Sequence, residues 1–253
     1  MKNLFTIIDN NTKYTLGKYI NNQIIYDFNS TLEYIDAKGK ECFGKHFKIY
    51  KEDHPLIYKL MIYTIKDQKA CTEKGINLNK GILLTGPVGC GKTTLMQLIP
   101  CITPQFRKYN LFPTRNIVFA FNAIGYDIIE QYTKEPTCCF DDLGAEPTGR
   151  HFGHDCNVMA EILTSRYESF NKNQLKSNNI NQAQLPLNNQ ANLNLTFNIP
   201  SHQKTKHIHK LTHLTSNLNA TEIEVRYGTR VRSRLREMVN VLAFPANSID
   251  KRT

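Results

Sequence analysis

No stretch of the chain is apolar enough, for long enough, to cross a membrane. The N-terminal run Leu4-Phe5-Thr6-Ile7-Ile8 is short and meets Asp9, so a signal peptide is not expected and the cytoplasm is the expected location. No C-x-x-C pair occurs among the seven cysteines. Cys42, Cys71, Cys101 and Cys156 are scattered, so neither a zinc site nor a disulfide framework is indicated. His202, His207, His209 and His213 cluster without a neighbouring acid or cysteine and are expected at solvated loop and strand positions. Acidic residues are missing altogether from Ser169 to Thr221, and the net charge is +10. Such an imbalance favours a polyanionic partner, of which nucleic acid is the usual one.

What is present is more specific. Ile82-Leu83-Leu84 predicts a short buried strand, and Gly86, Pro87, Val88, Gly89, Cys90, Gly91, Lys92 and Thr93 follow it. They satisfy G-x-x-x-x-G-K-[ST], in which glycines let successive backbone N–H groups turn inward toward phosphate oxygens. Lys92 is placed to reach the β- and γ-phosphates and Thr93 to hold Mg²⁺ through its hydroxyl; Thr94 is expected among the nucleotide-binding residues, and a helix is expected over Lys92–Ile99. The strand before and the apolar helix after supply the context that the motif requires.

A second element agrees. Cys138-Cys139-Phe140 is a short apolar run that ends in Asp141 and Asp142. Asp141 is expected to ligate Mg²⁺ opposite the phosphate loop. Asp142 is expected to orient or polarise the attacking water as a general base. ATP and Mg²⁺ are therefore the expected cofactors.

The length of 253 residues accommodates one α/β domain and a small appendage. Residues 1–50 are polar, rich in Asn, Lys and Tyr, and read as a separate small element. The domain is expected over 51–253. A helix is expected over His54–Gln68, with Pro55 in its first turn. Ile117–Phe121 reads as a second strand, and Asn122 as the cap of a helix over Ala123–Tyr132. Another helix is expected over Cys156–Phe170. Residues 171–200 hold ten Asn and four Gln without an acid and read as a disordered, low-complexity surface insertion. Lys210–Asn217 reads as a strand. Glu222–Met238 reads as a helix with Ile223, Tyr227, Val231, Leu235 and Met238 on its core face, and Val239–Phe244 as a last buried strand. Strands alternating with helices predict a parallel α/β sheet flanked by helices.

The order of the phosphate loop, CCFDDLG, ILTSRYE, a strand ending in THLTSN and the helix RYGTRVRSRLREM resembles the AAA+ ATPases of the helicase-loader and transposition-ATPase group. The likeness covers about residues 55–253 apart from the Asn-rich insertion. It implies that Asn217 is the polar sensor that positions the lytic water or touches the γ-phosphate. It implies that Arg234, with Arg230 as the alternative one turn earlier, is an arginine finger acting on the nucleotide of a neighbouring subunit. Arg252, or else Lys251, matches the second sensor, which touches the nucleotide of its own subunit. Where many of these proteins carry Glu, this chain has the shorter Asp142, which implies slow hydrolysis.

The implied activity is an ATP-dependent loader of a replicative helicase that assembles on single-stranded DNA as a homo-oligomer. The alternatives are a transposition ATPase that coats duplex DNA and recruits a transposase, and a nucleotide switch with negligible turnover. Residues 1–50 match no partner-binding segment.

Overall fold

The computed structural model describes residues 5–20, 23–104, 108–182 and 210–252. Two antiparallel hairpins come first, β1 (Thr6–Asp9) with β2 (Thr12–Thr15) and β3 (Gly17–Ile20) with β4 (Gln23–Tyr26). Then follow helices α1 (Phe28–Phe43), α2 (His54–Thr64) and α3 (Gln68–Glu73). The nucleotide-type core alternates β5 (Gly81–Thr85), α4 (Lys92–Leu98), β6 (Asn110–Pro113), α5 (Thr114–Ile124), α6 (Tyr126–Lys134) and β7 (Cys138–Leu143). A hairpin of β8 (Gly149–His151) and β9 (His154–Cys156) leads into α7 (Val158–Gln182), and β10 (Thr212–Ser216), α8 (Ala220–Met238) and β11 (Val239–Ala243) complete the chain.

The five core strands lie in the order β11-β5-β10-β7-β6, all parallel. Counted in chain order they run 5-1-4-3-2. The consequence is that β10 stands between the phosphate-loop strand β5 and the acid-tipped strand β7. All three strands therefore end at one crevice, where ligands of open parallel sheets bind.

Side chains alternate across the sheet and find helices on both sides. Ile82, Leu84 and Cys139 pack with Leu56, Ile57, Leu95 and Leu98. Leu83, Cys138, Phe140 and Leu214 pack with Phe121, Ile162, Tyr227 and Leu235 on the other side. Ile7, Leu16, Tyr34 and Ile35 are buried in the first of these clusters together with Leu56 and Leu98.

Several expected boundaries move. Ile117–Phe121 is not a strand but the middle of α5; the strand is β6, just before it. Ile117, Val118 and Phe121 are buried, whereas Phe119 is 48% exposed. That is one face of a helix, masked in the sequence by an apolar run that suits either period. Asn122 does not cap the next helix. It accepts the Arg150 N–H at 2.7 Å, and Gly125, at φ 88°, separates α5 from α6. The helix expected over His54–Gln68 ends at Thr64, because Lys66 turns left-handed (φ 59°) and Asp67 caps α3 by accepting from the Ala70 N–H at 2.9 Å. α7 continues past Phe170 to Gln182, so the first part of the Asn-rich segment is helical; 183–200 lies outside the described residues. α8 opens on a capping box of Asn219 and Glu222 and is broken at Gly228 (φ 86°, ψ 161°). A continuous apolar stripe concealed that break.

Candidate nucleotide site

The carboxyl ends of β5, β7 and β10 open into a cleft of about 530 Å³. Val88 to Thr94 form one wall, Asp142 and Asn217 lie at the strand ends, and Lys251 and Arg252 come from the C-terminal tail. Phe47, Tyr50, Asp53 and Ile57 close it from the N-terminal side. The loop needs its glycines. Gly86, Gly89 and Gly91 all have positive φ, and a Cβ on Gly89 would stand 2.1 Å from the Asp250 carboxylate.

Lys92 is 5% exposed. Its ammonium donates to the carbonyls of Gly86 (2.9 Å) and Pro87 (2.7 Å), which hold it inside the curl of the loop. Thr93 donates from Oγ1 to Asp141 Oδ1 at 2.8 Å. The same carboxylate oxygen accepts from Thr215 Oγ1 at 2.6 Å. Burial pushes the Asp141 carboxyl above its ordinary pKa and the nearby Asp142 adds to that, while the Thr215 and Thr93 hydroxyls pull it down. A buried carboxylate held by hydroxyls alone, beside the loop's own Thr93, is a hard-oxygen donor set of the kind Mg²⁺ takes. The residues present fit the metal. Thr93 and Asp141 would hold it, and it would neutralise charge on the phosphate oxygens.

Asp142 is exposed at the cleft with φ 55°, a left-handed conformation that costs a non-glycine residue on the order of 1 kcal/mol. Both of its backbone groups are tied down. Its N–H donates to Thr215 Oγ1 at 2.8 Å, and its carbonyl accepts from Thr114 Oγ1 at 2.9 Å. The backbone is thereby fixed at the cleft, which Asn217 also lines; Asn217 follows β10 directly and is exposed.

The two tail residues differ. Lys251 donates from Nζ to Asp53 Oδ2 and to the Cys90 carbonyl (3.0 Å), and its backbone N–H reaches the Gly89 carbonyl at 3.1 Å. Arg252 lines the cleft but is exposed. Arg234 is not in this cleft. It lies half-buried over the Tyr167 ring (5.1 Å to the centroid), and its Nη1 is buried without a hydrogen-bond partner among the described residues. Arg230 is exposed one turn earlier.

Three features were not visible in the sequence. Thr215 links Asp141 to the backbone of Asp142, yet it reads there as one more β-branched strand residue. Asp53 directly precedes α2 but makes no cap hydrogen bond. Glu146, four residues past Asp142 in CCFDDLGAE, is buried; it accepts from the Gly144 N–H (2.8 Å), from Tyr227 Oη and from Arg226 Nε (3.4 Å). It ties the loop after β7 to α8. Of the clustered histidines, His213 is buried and its Nδ1 accepts the Ile82 N–H at 3.1 Å; burial pushes its pKa down to about 3. It is a neutral structural ring, not the solvated position expected of it. His202, His207 and His209 lie outside the described residues. No cluster of metal-type ligands occurs among the described residues, and none of their helices is long and apolar enough to cross a membrane.

A family model for RNA helicases matches residues 82–190, the span from the phosphate-loop strand through α7. No curated protein sequence matches the chain. Among solved structures, it is similar to the DnaC helicase loader, with 16% identity, 78% of this chain and 92% of that chain covered, and a TM-score of 0.48. It is also similar to a putative primosome component from Streptococcus pyogenes serotype M3, with 16% identity, 79% and 83% covered, and a TM-score of 0.46. A DNA replication initiation factor matches at 13% identity, over 79% of this chain and 48% of that chain, with a TM-score of 0.42. The phosphate loop in its strand–loop–helix setting and the all-parallel 5-1-4-3-2 sheet make the fold that of a P-loop nucleoside triphosphatase.

Proposed function

We propose that this protein is a Mg²⁺-dependent ATPase that works in DNA replication, loading a replicative helicase onto single-stranded DNA as an ATP-dependent homo-oligomer in the cytoplasm. The observation that carries the nucleotide part is the convergence of Lys92, Thr93, Asp141 and Thr215 at the end of three neighbouring strands, with Asp142 and Asn217 beside them. In this reading Lys92 and the loop's N–H groups bind the β- and γ-phosphates, and Thr93 and Asp141 hold the metal. Asp142 and Asn217 orient the attacking water. The short Asp142 side chain makes the basal reaction slow, so assembly or DNA stimulates it. Lys251, which is embedded against the phosphate loop, suits the second sensor better than the exposed Arg252.

Arg234 lies outside its own cleft, and its Nη1 has no hydrogen-bond partner among the described residues. That supports a finger aimed at the nucleotide of a neighbour, where a fixed cation stabilises charge on the γ-phosphate. The excess of Lys and Arg over acids supports a nucleic-acid partner bound largely through phosphates. The order of motifs shared with helicase loaders supports the choice of partner protein.

The test is fluorescence anisotropy on labelled single-stranded and duplex DNA, with ATPγS, ADP or no nucleotide, at two salt concentrations. The loader reading expects tighter, ATPγS-dependent and salt-sensitive binding to the single strand. Cooperative coating of duplex instead would establish the transposition-ATPase alternative. Binding to neither would leave a nucleotide switch that acts on protein.

A further inference from the structure

Asp53 is a buried charged group that the contacts described so far do not fully account for. It is 5% exposed and sits where a 3₁₀ turn, Lys51–Asp53, passes into α2. An aspartate there ordinarily caps the helix, but this side chain makes no cap bond. Oδ2 is taken by Lys251, whose ammonium also binds the Cys90 carbonyl and lies 5.0 Å from the Tyr50 ring centroid and 4.9 Å from that of Phe244. Oδ1 is buried and has no hydrogen-bond partner among the described residues. Native proteins seldom leave a buried carboxylate oxygen unpaired. Asp53 lines the cleft between the phosphate loop and Tyr50 and Ile57.

The missing partner must be a donor. The phosphates of a nucleotide carry acceptors and negative charge, so they cannot serve. Its donors are the amino group of the base and the hydroxyls of the ribose. We propose that Asp53 Oδ1 accepts a hydrogen bond from the nucleoside half of the bound nucleotide, which makes Asp53 a specificity-determining residue, while Oδ2 keeps Lys251 against the phosphate loop. The inference rests on the reading of the cleft as an ATP site. One carboxylate then connects recognition of the nucleoside to the cation that faces the phosphate loop. A site built around a buried hydrogen-bond partner rejects analogues that lack it far more strongly than an apolar pocket rejects a misfit.

Isothermal titration of the full chain with ATP, inosine triphosphate, 2′-deoxyATP and 3′-deoxyATP, each with Mg²⁺, tests this. One of the three analogues should bind about tenfold or more weakly than ATP. Which one does so assigns the donor to the base amino group, the 2′-hydroxyl or the 3′-hydroxyl. Asp53→Ala should level the difference. Asp53→Asn, which keeps an acceptor for Lys251 but turns an amide N–H₂ toward the nucleotide, should level or invert it. Equal affinity of the unaltered protein for all four nucleotides would overturn the proposal without any variant, as would a difference that survives in both variants. Lys92→Ala separates the two levels. If it abolishes ATP binding while the four nucleotides bind the unaltered protein alike, the ATP site stands and the role of Asp53 falls. If the unaltered protein binds no nucleotide at all, both fall.

Discussion

Arg166 and Asp141 are both buried, at 2% and 6% exposure, near opposite ends of β7 and β10, and the protein treats their charges differently. Arg166, at the end where the strands begin, makes five hydrogen bonds of 2.7–3.1 Å, to Thr212 Oγ1 and to the carbonyls of Tyr132, Glu135, Pro136 and Leu211. Every one of these bonds ties it to the chain's own framework. Asp141, where the strands end, has two hydroxyl partners on a single oxygen, and one of them, Thr93, belongs to the phosphate loop. A fully satisfied buried charge fastens the fold together. A buried charge held by exchangeable hydroxyls is ready for a ligand of opposite sign. Burial by itself does not mark a site, whereas the way the burial is satisfied does.

The comparison breaks most sharply at Arg166. Replacing it with Ala removes all five bonds, strands the carbonyls and opens a cavity, so a loss of about 3–5 kcal/mol is expected. Arg166→Lys should restore little, because one ammonium cannot span the fork. Denaturant unfolding measures both, and a loss below about 1 kcal/mol would erase the distinction. Nucleotide affinity of the folded fraction should not change.

Asp141 should behave in the opposite way. Its pKa in the folded protein is raised by burial above the ordinary 3.8. Holding it ionised therefore costs stability at neutral pH, and that cost is relieved as the pH falls through the raised value toward 3.8. Asp141→Asn removes the cost. The nucleotide-free variant should melt higher than the unaltered protein at pH 7, with the gap closing on acidification, and should lose the strengthening of ATP binding by Mg²⁺. A lower melting temperature at pH 7 would mean that Asp141 is a structural group like Arg166.

Much of this site was legible because its chemistry is local. Gly86 to Thr93 form a contiguous loop whose residue types follow from the shape of a phosphate, and Asp141-Asp142 end a strand whose apolar run is plain. Asn217 stands at the tip of β10 as its strand pattern requires. The parts that were hidden depend on contacts between distant segments. Lys251 and Asp53 are separated by almost the whole chain, and Thr215 acquires its role only because β10 lies between β5 and β7. The choice of Lys251 over Arg252 as the embedded tail residue depends on packing against Gly89 and Cys90. The misread strand at Ile117–Phe121 has a simpler cause. Five consecutive apolar residues carry no period, and only the sheet's need for a short edge strand at Asn110–Pro113 makes that run a helix.

The most direct test of the central claim, that the carboxyl end of this sheet is a nucleotide site, is calorimetric titration of ATP into the unaltered protein and Lys92→Ala, with and without Mg²⁺. The account predicts one saturable site per chain, tightened by Mg²⁺ and abolished by Lys92→Ala. Equal binding by the two proteins would contradict it.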